Sequence, residues 1–191
     1  RVLAMDLHSA QIQGYFDIPC DHIYGSPVLI DYLESLNLEE VVVVSPDVGG
    51  VARARAFAKL MKDAPLAIID KRRSAHNIAE SLTVIGEVKG KTAILIDDMI
   101  DTGGTICSGA NLLKKEGAHR IFACASHAVF SPPSYERLST KDLFEQVIVT
   151  NSIPVLVKDN FPQLKVLSVA NMLGEAIWRI HEESSVSSMF R

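Results

Sequence analysis

Short runs of consecutive apolar residues, rich in valine and isoleucine, recur along the chain. Such runs are typical of strands buried on both faces of a parallel sheet, because neither face of such a strand meets water. The pattern predicts strands at residues 2–5, 41–44, 66–69, 93–96, 121–125, 146–149 and 165–168.

Segments with helical spacing lie between these runs. Ser26 is predicted as a helix N-cap with Pro27 as the first helical residue. Further helices are predicted at residues 51–61 and 106–116, the second ending at Gly117, and the tail at residues 171–180 is amphipathic. Strands that alternate with helices form crossover units. The sequence therefore predicts an α/β fold with a doubly wound, mostly parallel sheet.

Composition narrows the class of protein. The 191 residues are 48% hydrophobic and 22% charged with a net charge of −4, which indicates a globular protein without a general basic field for nucleic acid or anionic membranes. No apolar run approaches the roughly 20 residues of a membrane span. Three scattered cysteines indicate reduced thiols. Because the chain opens at Arg1 within a strand-like run, we expect that a preceding segment has been removed.

The stretch from Ile94 to Ile106 combines an apolar run, three carboxylates and two glycines. The chain is predicted to turn at Asp97-Asp98 and to begin a helix near Thr102–Thr105. The glycines at 103 and 104 allow close approach of the backbone and unusual dihedrals. The amino terminus of the new helix suits a phosphate.

The carboxylates of Asp97, Asp98 and Asp101 need a different partner, because they repel a bare phosphate. Carboxylates accept hydrogen bonds from sugar hydroxyls or bind a divalent cation. A ligand with both a phosphate and a cis-diol, such as a ribose 5-phosphate moiety, satisfies both halves of the stretch. The alternative is an ordinary acidic turn in which one aspartate caps the helix.

Two more candidate loops follow predicted strands. Asp47 precedes Gly49 and Gly50, so the carboxylate suits Mg²⁺ and the backbone N–H groups suit a second phosphate; common turn chemistry is the alternative. Lys71-Arg72-Arg73 places three cations where a loop closes over a transferring phosphoryl group, or forms a solvated surface run. His8, at the end of the first strand, is suited to metal binding, proton transfer or a capping role.

Together these motifs resemble the ribose-phosphate diphosphokinases, the phosphoribosyl diphosphate (PRPP) synthetases. The resemblance extends over essentially the whole chain, because four loops match in order and spacing. It implies a type I phosphoribosyltransferase-like domain at residues 21–191, preceded at residues 1–20 by the remnant of a similar domain. It also implies that this chain corresponds to the last three-fifths of a family member.

The resemblance implies roles for individual residues. Ribose 5-phosphate is expected at Asp97, Asp98, Asp101, Thr102, Gly103, Gly104 and Thr105. Pyrophosphate is expected at Asp47, Val48, Gly49 and Gly50. Lys71 and Arg73 are the implied catalytic cations, and His8 and Asp47 are the implied Mg²⁺ residues.

The implied reaction transfers the diphosphoryl group of Mg-ATP to the 1-hydroxyl of ribose 5-phosphate and gives PRPP and AMP. The alternatives are a phosphoribosyltransferase that consumes PRPP, a non-catalytic regulatory subunit, and an inactive fragment of the enzyme. The resemblance also implies that the intact protein is a homo-oligomer, as the family includes hexamers. Neither nucleic acid nor membrane is an expected partner, and the expected location is cytoplasmic, with the plastid as the other setting.

Overall fold

The computed structural model describes residues 1–72, 81–156 and 160–190. Its strands are β1 (Val2–Met5), β2 (Cys20–Ile23), β3 (Val41–Ser45), β4 (Leu66–Arg72), β5 (Ser81–Ile85), β6 (Thr92–Ile100), β7 (Arg120–Ala128), β8 (Gln146–Thr150) and β9 (Leu164–Leu167). Its α-helices are α1 (Ser26–Ser35), α2 (Val51–Leu60), α3 (Gly104–Lys115), α4 (Ser134–Leu138) and α5 (Ala170–His181). Short 3-10 helices lie at Ala10–Tyr15 and Ser187–Phe190.

The main sheet has the strand order β5-β4-β3-β6-β7-β8-β9. Only the β4–β5 pair within it is antiparallel. Apolar side chains of α1 and α2 pack with one set of strand residues, and those of α3 and α4 pack with the opposite set. The predicted doubly wound, mostly parallel α/β fold is therefore confirmed.

All seven predicted strands are present, because continuous runs of β-branched residues are typical of strands that are buried on both faces of a parallel sheet. The predicted end of α3 is also confirmed: Gly117 has a φ of +86° and its N–H donates to the Lys114 carbonyl at 3.1 Å. The pattern missed β2 and β5, which mix polar and apolar residues. Each lies at the edge of its sheet, where one side of the strand meets solvent.

Three local predictions were wrong. The chain does not turn at Asp97-Asp98, because β6 continues to Ile100 in register with β7. Lys71 does not lie in a loop, because β4 continues to Arg72 and pairs with β5. Ser26 is not an N-cap; Gly25 holds that position. In the first two cases a neighbouring strand supplies hydrogen bonds that extend a strand beyond its apolar run.

The first residues belong to a small second sheet. β1 pairs in parallel with β2 in a two-stranded sheet, so residues 2–5 contact residues 20–23. The boundary predicted between residues 20 and 21 falls at the first residue of β2, and the assignment of residues 1–20 to a preceding domain stays a prediction. Among the described residues, no helix has the length and apolar character needed to cross a bilayer.

Candidate functional site at the switch point of the sheet

The sheet changes winding direction between β3 and β6. These strands are parallel neighbours, with Val44 opposite Leu95, but the helix that follows β3 packs on one face and the helix that follows β6 packs on the other. The two chain segments diverge there and leave a crevice at the carboxyl ends of the strands. Such crevices are where open α/β sheets bind their ligands.

The carboxylates of the acidic strand end (residues 97–101) differ in exposure. The Asp97 side chain is 22% exposed and that of Asp98 only 2%. Asp101 is exposed to solvent. The predicted set is therefore divided, with Asp101 open to a ligand and Asp98 enclosed by other side chains.

Two side chains from distant segments enclose Asp98. Arg53 Nη1, from the first turn of α2, lies 3.3 Å from Asp98 Oδ1 and 3.0 Å from Asp97 Oδ1. His8 Nδ1 lies 2.7 Å from Asp98 Oδ2. Both oxygens of Asp98 are thus paired, and the guanidinium offsets part of the negative charge that the sequence concentrates here.

The aspartate pair shares its charge unequally. Burial raises the pKa of Asp97 to about 7, and hydrogen bonding to the Asp98 side chain acts in the same direction. Burial also disfavours ionisation of Asp98, but hydrogen bonds with Asp97 and His8 and the positive charge of Arg53 together lower its pKa. Near neutral pH, Asp98 therefore carries the negative charge and Asp97 is close to its titration midpoint.

The position of His8 depends on the junction between β1 and the main sheet. The Asp6 carboxylate accepts hydrogen bonds from the Gly25 N–H at 2.7 Å and from the Ser126 hydroxyl. His127 Nε2 lies 3.0 Å from the Met5 carbonyl oxygen. These contacts fix the end of β1 beside the carboxyl end of β7, and His8 reaches the acidic strand end from there.

The Thr102 turn (residues 102–105) leads from β6 into α3. Gly103 is the N-cap, with a φ of +73° that favours glycine. Gly104 is helical without a positive φ, so the prediction of unusual dihedrals is confirmed for Gly103 and wrong for Gly104. Thr102 and Thr105 are exposed, and Arg137 Nη1 donates to the Thr102 carbonyl at 3.1 Å. The first N–H groups of α3 have no acceptor within the helix, as at any helix amino terminus.

The Asp47 turn (residues 47–50) leads from β3 into α2. Asp47 Oδ1 accepts a hydrogen bond from the Gly50 N–H at 2.8 Å, and the Ser45 hydroxyl donates to the Asp47 carbonyl at 2.7 Å. The side chains of Asp47 and Val48 are exposed, as is Gly49. This turn is braced by its own residues and presents a carboxylate and a small backbone surface to solvent.

Lys71, one of the two implied catalytic cations, lies on β4, the strand that pairs with β3 on the side away from β6. Ser45 is opposite Ile68, so Lys71, three residues further along β4, extends about 10 Å past the end of that pairing. The Lys71 side chain is exposed on the strand. Arg73 lies outside the described residues. Lys71 therefore lies at the carboxyl ends of the strands, as the Asp47 turn does.

Comparisons with known proteins show the family to which the chain belongs. Residues 73–191 match the phosphoribosyl synthetase-associated domain. Over 191 residues the chain is 95% identical to a ribose-phosphate pyrophosphokinase from Prochlorococcus marinus subsp. pastoris. Over 193 residues it is 65% identical to ribose-phosphate pyrophosphokinase 1 from Spinacia oleracea. The phosphoribosylpyrophosphate synthetase of Mycobacterium smegmatis matches 95% of this chain at 43% identity with a TM-score of 0.86.

A doubly wound α/β domain with two strand-to-helix turns at its switch point is thus the class that fold and site define. The chain belongs to the phosphoribosyl synthetase family, as the resemblance of its loops predicted. The match covers only 58% of the length of the Prochlorococcus relative and 59% of the Mycobacterium chain.

Sequence reasoning missed Arg53. One signal was present: Arg53 lies six residues after Asp47, in the first turn of a helix that begins directly after the Asp47 turn. A cation at that position is close to any ligand or carboxylate at the neighbouring strand end.

Proposed function

We propose that this chain is the part of a ribose-phosphate diphosphokinase that binds ribose 5-phosphate and the transferring diphosphoryl group. One observation carries the proposal: an acidic strand end, a Thr-Gly-Gly-Thr turn and a second glycine turn meet at one switch point. A phosphate and a diol on one ligand match the first two, and a second phosphate cluster matches the third. The names of the relatives support the same reaction.

The Thr102 turn is the proposed site of the 5-phosphate. Gly103 lets the chain enter α3 with its backbone close to the crevice, and Thr102 and Thr105 add exposed hydroxyl donors. Asp101, which is exposed, and Asp97 face the ribose hydroxyls. Asp98 has the same proposed ligand, but in the described structure its oxygens hold His8 and Arg53, so ribose contact requires it to exchange one of them.

The Asp47 turn is the proposed site of the diphosphoryl group, with Asp47, Val48, Gly49 and Gly50 around it. The residues present also fit Mg²⁺. Asp47 is exposed and uses Oδ1 for its own turn, and His8 is oriented through Nδ1 by a carboxylate, which leaves Nε2 on a ring that is 73% exposed. Among the described residues no three acidic, histidine or cysteine side chains form a cage, which suits an ion that retains water and phosphate ligands.

The proposed reaction is a direct transfer. The 1-hydroxyl oxygen of ribose 5-phosphate forms a bond to the β-phosphorus of ATP, the bond from that phosphorus to the α-phosphate oxygen breaks, and AMP leaves. Mg²⁺ bound with ATP supplies charge neutralisation on the phosphates. The residues of this chain align the two substrates, and Lys71 with Arg73 stabilises the charge that develops on the transferring group.

The test is a phosphorus NMR spectrum of the 191-residue chain with Mg²⁺, ATP and ribose 5-phosphate. New AMP and PRPP signals show that the reaction is complete within this chain. A ribose 5-phosphate line that shifts without turnover shows a sugar-phosphate half-site that needs the rest of the relatives' length. An unchanged line contradicts the proposal.

Lys71 offers a sharper version of the same test where turnover is measurable. Lys71→Ala should lower kcat by an amount equivalent to about 2–4 kcal/mol, as for loss of an oxyanion donor, and leave ribose 5-phosphate binding nearly unchanged. Lys59→Ala is a matched control, since Lys59 is an exposed cation on α2. A comparable loss of binding and turnover in Lys71→Ala would remove the catalytic role.

A further inference from the structure

Arg53 is the cation that lies between the two turns of the site. Its Nη1 atom contacts Asp97 and Asp98 at 3.0 and 3.3 Å, while its backbone belongs to the helix that follows the Asp47 turn. We propose that Arg53 is a positioning residue: it compensates the charge of the acidic strand end and couples that strand end to the Asp47 turn. This inference rests on the proposed function.

Charge compensation follows from where the carboxylates lie. Asp97, Asp98 and Asp101 are within five residues of one another and precede a turn that is proposed to receive a phosphate. At partly buried positions the repulsion between these charges and a dianionic phosphate is weakly screened. Arg53 is only 30% exposed, so its charge acts on the enclosed Asp98 rather than being lost to solvent. Without it, the approaching phosphate meets an uncompensated carboxylate.

The coupling follows from what else lies next to the same guanidinium group. A Cβ atom placed on Gly50 would lie 3.9 Å from Arg53 Nη1 and 3.5 Å from Asp47 Oδ1. One guanidinium is therefore in contact with the acidic strand end and next to the last residue of the Asp47 turn. Any movement of Asp97 or Asp98 on ligand binding changes the partner of a side chain that is anchored on α2.

The contact geometry distinguishes charge from shape. A single nitrogen, Nη1, makes both ion pairs, so this is not the two-pronged arrangement that only arginine can form. A lysine at position 53 keeps the charge on one nitrogen. If compensation is what Arg53 supplies, Arg53→Lys retains most of the function and Arg53→Ala does not.

The experiment is calorimetric titration of ribose 5-phosphate into the 191-residue chain and five variants. The variants are Arg53→Ala, Arg53→Lys, Asp98→Asn, the double variant of Arg53→Ala with Asp98→Asn, and Arg55→Ala. Arg55 is the matched control, because it is an exposed arginine on the same helix two residues away. Thermal unfolding of each variant separates loss of binding from loss of fold.

We expect Arg53→Ala to weaken binding by about tenfold or more, and Arg53→Lys and Arg55→Ala to weaken it less than about threefold. Asp98→Asn should weaken binding in the parent chain but strengthen it in the Arg53→Ala background, where it removes an uncompensated charge. This reversal of sign keeps the test valid even if Arg53→Ala is less stable, because a purely structural defect is not repaired by removing a second partner.

The outcomes separate the two proposals. Parent binding with equal affinities in Arg53→Ala and Arg55→Ala overturns the Arg53 inference and leaves the proposed function intact. Additive losses in the double variant overturn it as well. No binding of ribose 5-phosphate by the parent chain overturns the proposed function, and the role of Arg53 with it.

Discussion

The Asp47 turn follows β3, the acidic strand end is the last part of β6, and each lies ahead of a helix, yet the carboxylates of the two segments are held in different ways. Asp47 is exposed and hydrogen-bonds Gly50, three residues away. Asp98 is enclosed by His8 and Arg53, which precede it by 90 and 45 residues in the sequence. The Asp47 turn is built locally, whereas the arrangement around Asp98 exists only when three chain segments assemble.

That difference has a consequence for stability. A local turn is supported by its own backbone whether or not the rest of the domain is intact. An enclosed carboxylate is favourable only while its distant partners remain in place, because desolvation opposes its charge. The acidic strand end is therefore more sensitive to substitution and to pH than the Asp47 turn.

The largest expected effect is at Asp98. Asp98→Ala removes the partner of Arg53 and His8 and should lower the free energy of unfolding by about 2 kcal/mol or more. Asp47→Ala removes one hydrogen bond within a local turn and should cost about 1 kcal/mol or less. Urea unfolding of both variants measures the difference. Equal losses would show that the carboxylates of Asp98 and Asp47 contribute equally to stability.

The second prediction concerns pH. The pKa of Asp97 is raised to about 7, so the folded chain keeps a proton that the unfolded chain releases near its ordinary value of 3.8. The contribution of Asp97 to the free energy of unfolding is therefore full below about pH 4 and falls as pH rises to about 7, by at most about 1.4 kcal/mol per pH unit.

Urea unfolding across this range, without Mg²⁺, compares the parent with Asp97→Asn. The variant should lack this fall, so the difference between the two curves should itself change with pH. Parallel curves for Asp97→Asn would mean that burial does not hold a proton on this side chain.

The adjacent glycines of the Thr102 turn give a smaller, matched contrast. Gly103→Ala forces a side chain into a left-handed position, with its Cβ 3.4 Å from Leu138, and should destabilise by about 1–2 kcal/mol. Gly104→Ala lies in the helix, where alanine is the better residue, and should be neutral or stabilising by up to about 1 kcal/mol. Thermal unfolding of the two variants suffices, and the reverse order would contradict the described turn.

The smallest expected effect is at Arg137. Its hydrogen bond to the Thr102 carbonyl, at 3.1 Å, is made by an exposed side chain and supports the turn from outside. Arg137→Ala should cost about 0.5 kcal/mol in unfolding. A loss as large as that of Asp98→Ala would show that the Thr102 turn, like the acidic strand end, depends on a distant partner.

The same contrast explains how far the sequence could be interpreted. Buried apolar runs predicted the main-sheet strands other than β5, because their period and composition are local. The glycines and threonines of the Thr102 turn were recognisable for the same reason. The lengths of the strands could not be predicted in this way. β6 runs through Asp97 and Asp98 only because β7 continues alongside it.

The charge pairing within the site was also beyond local reasoning. Three carboxylates indicated a ligand with hydroxyl groups, and that inference treated them as equivalent. Their actual division depends on Arg53 and His8, which no spacing rule connects to Asp98. The hypothesis that Asp97, Asp98 and Asp101 bind ribose stays a prediction, and it now has a ranking, with the exposed Asp101 first.

The most direct test of the account is a pair of titrations followed by amide NMR shifts of the isotope-labelled chain. Ribose 5-phosphate should shift the N–H signals of Gly103, Gly104 and Thr105, and ribose without the phosphate should not. Mg²⁺ with pyrophosphate should shift those of Gly49 and Gly50. Two separate sets of shifts at the switch point would support a two-turn site. Shifts located elsewhere, or one set common to both ligands, would contradict it.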